Sequence, residues 1–231
     1  MMWIRLAIVV VCGLSACVGF SEEGFVSIFN GRDFSGWEGS WTNGYYRVAA
    51  DGTLECVGGK GWGDKTIRNI WTTREYSNFV FRCEYKVTPR TNNGIGIRCP
   101  PRDYITSSGM EVQILEDESD DYYFTKKKVP VYSLNASIYG VAAARRQSER
   151  KGFLKPVGEW NRQEIRAEGS RVTIVLNGET VVDADLSKAD ARGGTPDGKP
   201  HPGIRRPGGH ITLCWHNDTM WFRNLEIKEL K

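Results

Sequence analysis

Apolar and polar residues alternate with a period of two through most of this chain, as in strands that bury one face and wet the other. The pattern is clearest over residues 79–87, where Phe79, Phe81, Cys83 and Tyr85 share one face and Arg82, Glu84 and Lys86 the other. Similar stretches are predicted as strands at 25–29, 45–48, 53–57, 70–73, 94–99, 110–115, 133–139, 163–167, 171–176, 180–184, 209–216 and 220–230. Asn30-Gly31, Asp51-Gly52 and Asn177-Gly178 supply turns, and Asp51-Gly52 between two short runs is the strongest hairpin signal. No helical stripe longer than about ten residues competes with these strands. The fold class is all-β, a sandwich or jelly roll.

The strand at 110–115 carries the most chemistry. Val112 and Ile114 point one way, Glu111 and Gln113 the other. Two polar groups about 7 Å apart on one face suit a polyhydroxylated ligand, or else a solvated outer sheet. Strict alternation sends Glu116 to the apolar side, unless a bulge between Gln113 and Glu116 returns it. With the neighbouring strands, Glu84, Arg98, Glu111 and Gln113 are expected on one polar face. Gly94 and Gly96 would let something approach that backbone closely.

Length and composition narrow the setting. At 231 residues, one all-β domain with a substantial core is ordinary. The formal charge of +3 is small and its basic residues are scattered, so no nucleic-acid partner is expected. Eight Trp and nine Tyr are many, serving either sandwich packing or sugar stacking. Residues 1–16 read as a signal peptide: a basic start at Arg5, an apolar run too short to span a bilayer comfortably, then Leu14-Ser15-Ala16-Cys17. That ending resembles a bacterial lipobox, which makes Cys17 the lipidation site, residues 17–24 a tether and 25–231 the folded domain. The protein is then expected to be exported to the periplasm or outer membrane, touching membrane only through its lipid anchor. Cys56, Cys83, Cys99 and Cys214 remain, either as disulfides in an oxidising compartment or as buried thiols.

Several other patterns carry less. The glycine loop at 58–63 is followed by neither a helix pattern nor a G-K-[ST] sequence, so it is not a phosphate loop. The acidic run at 116–121 lacks EF-hand spacing. Residues 142–151 read as a basic loop or one short helix. The Gly- and Pro-rich stretch at 190–208 reads as a long loop of the kind that carries function.

The order of motifs resembles the 3-keto-disaccharide hydrolase family. The matching pieces are Phe29 to Trp37, Asn92-Asn93-Gly94-Ile95-x-x-Arg98, Ser108 to Leu115, Ile138-Tyr139-Gly140, Gly158-Glu159-Trp160-Asn161, Leu176-Asn177-Gly178, His216 and Phe222 to Ile227. The resemblance implies a concanavalin A-like jelly roll of two antiparallel sheets, with an oxidised carbohydrate bound in the concave face. It also implies cleavage of glycosides already oxidised at C3. Cys214 stands where the family usually has Gln, Asn135-Ala136-Ser137 where it has Thr-Gly-Ala, and Asn93 where it has Ser.

A ketone at C3 acidifies the C2 hydrogen, so removing it lets the enolate expel the glycosidic oxygen, and water then adds back. On this scheme Glu111 or His216 is the base and Arg98 stabilises the enolate. Gln113, Asn93 and Glu84 are expected to bind substrate, Gln113 and Asn93 by its hydroxyls, and Tyr139 to donate to the leaving group. The sequence requires no cofactor, although a divalent metal held by Glu111, Gln113 and His216 would serve the same enolate. A lectin-like surface module with this face and no turnover is the alternative.

Overall fold

The computed structural model describes residues 24–61, 68–101, 105–117, 129–148, 151–189 and 194–231. The segment expected as a leader (residues 1–16) and Cys17 lie outside them, as do parts of the glycine loop and the acidic loop. Among the described residues thirteen strands are formed: β1 (Val26–Ser27), β2 (Trp37–Gly39), β3 (Tyr46–Val48), β4 (Leu54–Cys56), β5 (Ile70–Thr72), β6 (Phe79–Val87), β7 (Asn92–Cys99), β8 (Met110–Leu115), β9 (Trp160–Glu168), β10 (Arg171–Leu176), β11 (Glu179–Asp185), β12 (His210–Cys214) and β13 (Met220–Glu229).

They make two antiparallel sheets. One has eight strands in the order β11-β10-β9-β6-β13-β4-β3, with β1 also on β13, and the other is β2-β5-β12-β7-β8. The alternation read in the sequence is what packs them. Phe79, Phe81, Cys83, Tyr85 and Val87 from β6 join the same apolar cluster as Ile95, Ile97, Met110, Val112, Ile114, Ile211 and Leu213 from the smaller sheet. Each large side chain taken out of water there contributes about 1.5–3 kcal/mol.

Two bulges adjust this alternation. On β13 the register slips between Arg223 and Glu226, with Asn224 at φ 52°, so Leu225 and Ile227 face the core after Phe222. On β7 the residues from Gly96 to Cys99 face only Thr212 and His210 of β12, and Arg98 sits there at φ 51°. Between β7 and β8 the pairing is regular from Ile97↔Met110 to Asn92↔Leu115. No bulge returns Glu116 to the Glu111 face. Its carboxylate instead accepts from the Arg90 backbone N–H past the strand's end.

The segment predicted as a strand at 133–139 is not one. A 3-10 turn (Val131–Ser133) leads into residues that line the free edge of β8, through Ala136 N–H to Gln113 O, Gln113 N–H to Ser137 O and Tyr139 N–H to Glu111 O. Ala136 has φ 61°, which breaks the extended run its apolar pattern suggests. The edge is nonetheless covered, which protects it from pairing with another chain. Among the described residues, Cys56, Cys83, Cys99 and Cys214 are all buried free thiols.

Candidate active site

The smaller sheet turns Ile95, Ile97, Val112 and Ile114 into the core, so Gly94, Gly96, Glu111, Gln113, Thr212 and Cys214 fall on its outer face. Register places Glu111 opposite Gly96 and Gln113 opposite Gly94. On the other side of β7, Thr212 pairs Gly96 and Cys214 pairs Gly94. The missing Cβ atoms are the bed of the site. A Cβ on Gly94 would come within 2.8 Å of Glu111 Cγ and 3.0 Å of its Cδ, so the carboxylate occupies that space.

This face is covered, not solvated. The helical turn α1 (Ile105–Ser108) lays Ile105 against Cys99 and Cys214. The loop after residue 194 is fixed to the same turn by His201, whose Nδ1 lies 2.9 Å from Thr106 O and whose Nε2 lies 3.0 Å from Asp197. Glu111 is consequently 3% exposed, and its Oε1 has no hydrogen-bond partner. Burial raises its pKa to about 7, while the Cys214 thiol, donating to the carboxylate, restrains the rise.

His216 follows β12 and brings Nε2 to 3.9 Å from that same Oε1. Burial, and then the Arg68 cation, push its imidazole down to about 4. The side chain is 36% exposed at the rim, so water tempers the shift. Both causes still act in one direction, and the ring is neutral at neutral pH. Its position is set by Asn93, whose Oδ1 accepts the His216 N–H at 2.7 Å and whose Nδ2 donates to Asp218 O at 3.2 Å. Gln113 donates to Asn92 Oδ1, and Asn92 N–H to Asp218, so a polar chain ties the β8 face to the turn carrying His216. Gly58 to Gly61 brace the same turn: Gly59 and Gly61 N–H groups bond to Asn217, and Gly58 N–H to Thr219 Oγ1.

Glu111, Gln113, Tyr139 and His216 are therefore brought to one place, Tyr139 by its backbone bond to Glu111. Three expectations are corrected. Arg98 does not face Glu111: the β7 bulge turns its guanidinium onto the carbonyls of Ser77 and Gly169, with contacts of 2.7–3.0 Å. Glu84 belongs to the other sheet, where it pairs with Arg223 at 2.6 Å. Asn93 is fully buried with both amide atoms occupied by the backbone, so it positions His216 and holds no hydroxyl.

Arg68 was not anticipated. It is buried, and its guanidinium lies 5.8 Å from the centre of the Trp215 ring, next to His216. Its weak signal was an arginine at the foot of the glycine loop, outside every strand pattern. For a divalent cation, the side chains at hand are one carboxylate, one imidazole and the Gln113 amide. Among the described residues no group of three or more His, Cys, Asp and Glu converges.

Comparison with known proteins bears on the fold and the family. A Bacteroides thetaiotaomicron protein named 3-keto-disaccharide hydrolase is 27% identical over 90% of this chain and 79% of its own length. Two crystal structures from Parabacteroides distasonis, both provisionally assigned as glycosyl hydrolases, superpose with TM-scores of 0.72. One is 28% identical and covers 89% of this chain and 99% of its own; the other is 22% identical and covers 90% and 95%. Residues 24–228 match the family described as the 3-keto-alpha-glucoside-1,2-lyase-like domain. The chain belongs to that family.

Proposed function

We propose that this protein is a glycoside-cleaving enzyme that acts on sugars carrying a ketone at C3, by elimination across C1–C2 followed by hydration. The observation that carries the reading is the Glu111 carboxylate, buried without a partner on Oε1 and 3.9 Å from a neutral imidazole. A base works best when its pKa lies near the working pH, and at about 7 Glu111 meets that condition while His216, at about 4, does not.

Glu111 takes the proton from C2, and the C–H electron pair moves into an enolate on the C3 oxygen. The enolate collapses, forming the C1–C2 double bond and expelling the glycosidic oxygen, which leaves with a proton. Water then adds at C1 and a proton returns to C2, so the net change is hydrolysis. His216, neutral at the rim, donates from its ring N–H to a substrate oxygen. Gln113 holds a hydroxyl on the glycine bed, and Tyr139, beside Glu111, faces the leaving group. Ordinary glycosidases need two carboxylates flanking the bond. Here one carboxylate suffices, because the ketone supplies the acidity.

Incubation of purified protein with a 3-keto-glucoside tests this: free sugar should appear, and Glu111→Gln should stop it. Saturable binding without release would instead identify a lectin-like module. Export and lipid attachment at Cys17 belong to the same proposal, and labelling with a radioactive fatty acid, lost on Cys17→Ser, tests them.

A further inference from the structure

Glu111 and Gln113 form the floor of the site, 3% and 4% exposed, and its mouth is bounded by groups that solvent still reaches. Asn92, His216 and Asp218 are all half-buried there. Asp218 is a second carboxylate at this mouth, and the elimination does not use it as a base. We infer that Asp218 sets substrate specificity by binding the hydroxyl at C4 of the 3-keto sugar, across the ring from the bond that breaks; this rests on the reaction proposed above.

Strand β7 holds Asp218 in place. Its Oδ2 accepts the Asn92 N–H at 3.0 Å, and its backbone carbonyl accepts from Asn93 Nδ2 at 3.2 Å. Asn92 shares the outer face with Gly94, and its Oδ1 accepts from Gln113 Nε2 at 3.1 Å. Among the described residues nothing bonds to Asp218 Oδ1 or to Asn92 Nδ2. An acceptor and a donor are therefore left on adjoining residues, and a sugar hydroxyl, which donates one proton and accepts another, satisfies both. Burial raises the Asp218 pKa, with the Asn92 N–H opposing the rise. The carboxylate has thus already lost part of its water and gains from a ligand hydroxyl.

The sheet decides which end of the ring Asp218 meets. The Glu111 carboxylate lies over Gly94 on β7. Tyr139, bonded through its N–H to Glu111 O, stands on the free edge of β8, while the turn carrying Asp218 continues β12 on the opposite side of β7. With C2 over the carboxylate and the leaving group toward Tyr139, C4 points to the Asp218 flank. Like charges repel, so Asp218 cannot serve the C3 oxygen as it turns negative. A neutral hydroxyl is the partner its charge allows.

Calorimetry on the Glu111→Gln protein separates recognition from turnover. The ligands are methyl 3-keto-glucoside and its 4-deoxy analogue. With Asp218 present the analogue should bind roughly tenfold more weakly or worse, the value of one hydrogen bond to a charged group. Adding Asp218→Ala should bring the two dissociation constants within about threefold of each other, because the C4 contact is already gone. A displaced turn would weaken both sugars together and leave their ratio as it was, so the ratio is the readout. If Asp218→Ala does not fold, Asp218→Asn keeps an acceptor for the Asn92 N–H without the charge, and should cut the ratio at least about threefold. A ratio that survives these substitutions, or one near unity with Asp218 in place, overturns the assignment, while sugar release by the wild-type enzyme keeps the reaction. A Glu111→Gln protein that binds neither sugar would instead sink the substrate reading, and the role of Asp218 with it.

Discussion

The Glu111 carboxylate leans away from its register partner Gly96 and fills the space above Gly94, where no side chain could fit beside it. Gly94 has ordinary extended geometry, so alanine is tolerated by the backbone and opposed only by the carboxylate. Gly94→Ala should cost about 1–3 kcal/mol in stability, the range for overpacking a filled site. Activity should fall far more, at least tenfold, because the base itself is displaced. Urea denaturation and kcat/KM on the same preparation check this: equal, small effects on both would show that the carboxylate has room to move.

The raised pKa of Glu111 links function to stability with opposite signs. As base it must be ionised, so kcat/KM should rise with pH and level off above about 7. For stability, the unfolded group has a pKa near 4.5, so between 4.5 and 7 the folded state binds the extra proton. Stability contributed by this group is full below about 4.5 and is lost as pH rises through 7. The loss is roughly 3 kcal/mol from a shift of this size. Glu111→Gln should therefore be inactive at every pH yet melt above wild type at pH 8. Thermal melts across pH 5–8 test it, and a variant no more stable than wild type at pH 8 would contradict the burial cost.

Arg98 stood in a sequence motif but is predicted to matter for folding alone. Its three guanidinium contacts join the β7 bulge to Ser77 and to Gly169 in the β9–β10 turn. Hydrogen bonds to charged groups contribute about 1.5–3 kcal/mol each, and contacts sharing one guanidinium do not add in full. Arg98→Ala should lower stability by about 2–4 kcal/mol, with kcat of the remaining folded protein within a few-fold of wild type. A selective loss of kcat without loss of stability would return Arg98 to the chemistry.

These contrasts show what period-two alternation can and cannot reveal. It located β6, β7, β8, β12 and β13, and it put Glu111 and Gln113 on one face, because each core strand is regular where those residues stand. Alternation says nothing about which sheet a strand joins, so Glu84 and Glu111 looked like neighbours although β6 and β8 lie in different sheets. It also breaks at a bulge. One extra residue on β7 is enough to rotate Arg98 out of the row it appeared to share with Gly94 and Gly96. Residues 133–139 read as a strand because they do line the edge of β8, but Ala136 at positive φ interrupts the ladder. Arg68 and the role of Asn93 depend on contacts across more than a hundred residues of sequence, which no local pattern encodes.

Asn93 gives the last prediction. Its amide is buried without exposed surface, and its two polar atoms meet the His216 N–H and the Asp218 carbonyl. Between those residues Asn217 holds φ 74°, a conformation that costs energy and needs anchoring on both sides. Asn93→Ala leaves a buried N–H and a buried carbonyl unpaired, at about 1–3 kcal/mol. It should also release the turn that sets the 3.9 Å spacing between His216 and Glu111. Because Asn93 does not touch substrate, kcat should fall roughly tenfold or more with KM changed less than about threefold. The His216 ring resonances in NMR spectra should broaden or shift as the imidazole loses its fixed place. A raised KM at constant kcat would mean that Asn93 reaches the sugar after all, and that the turn stands without it.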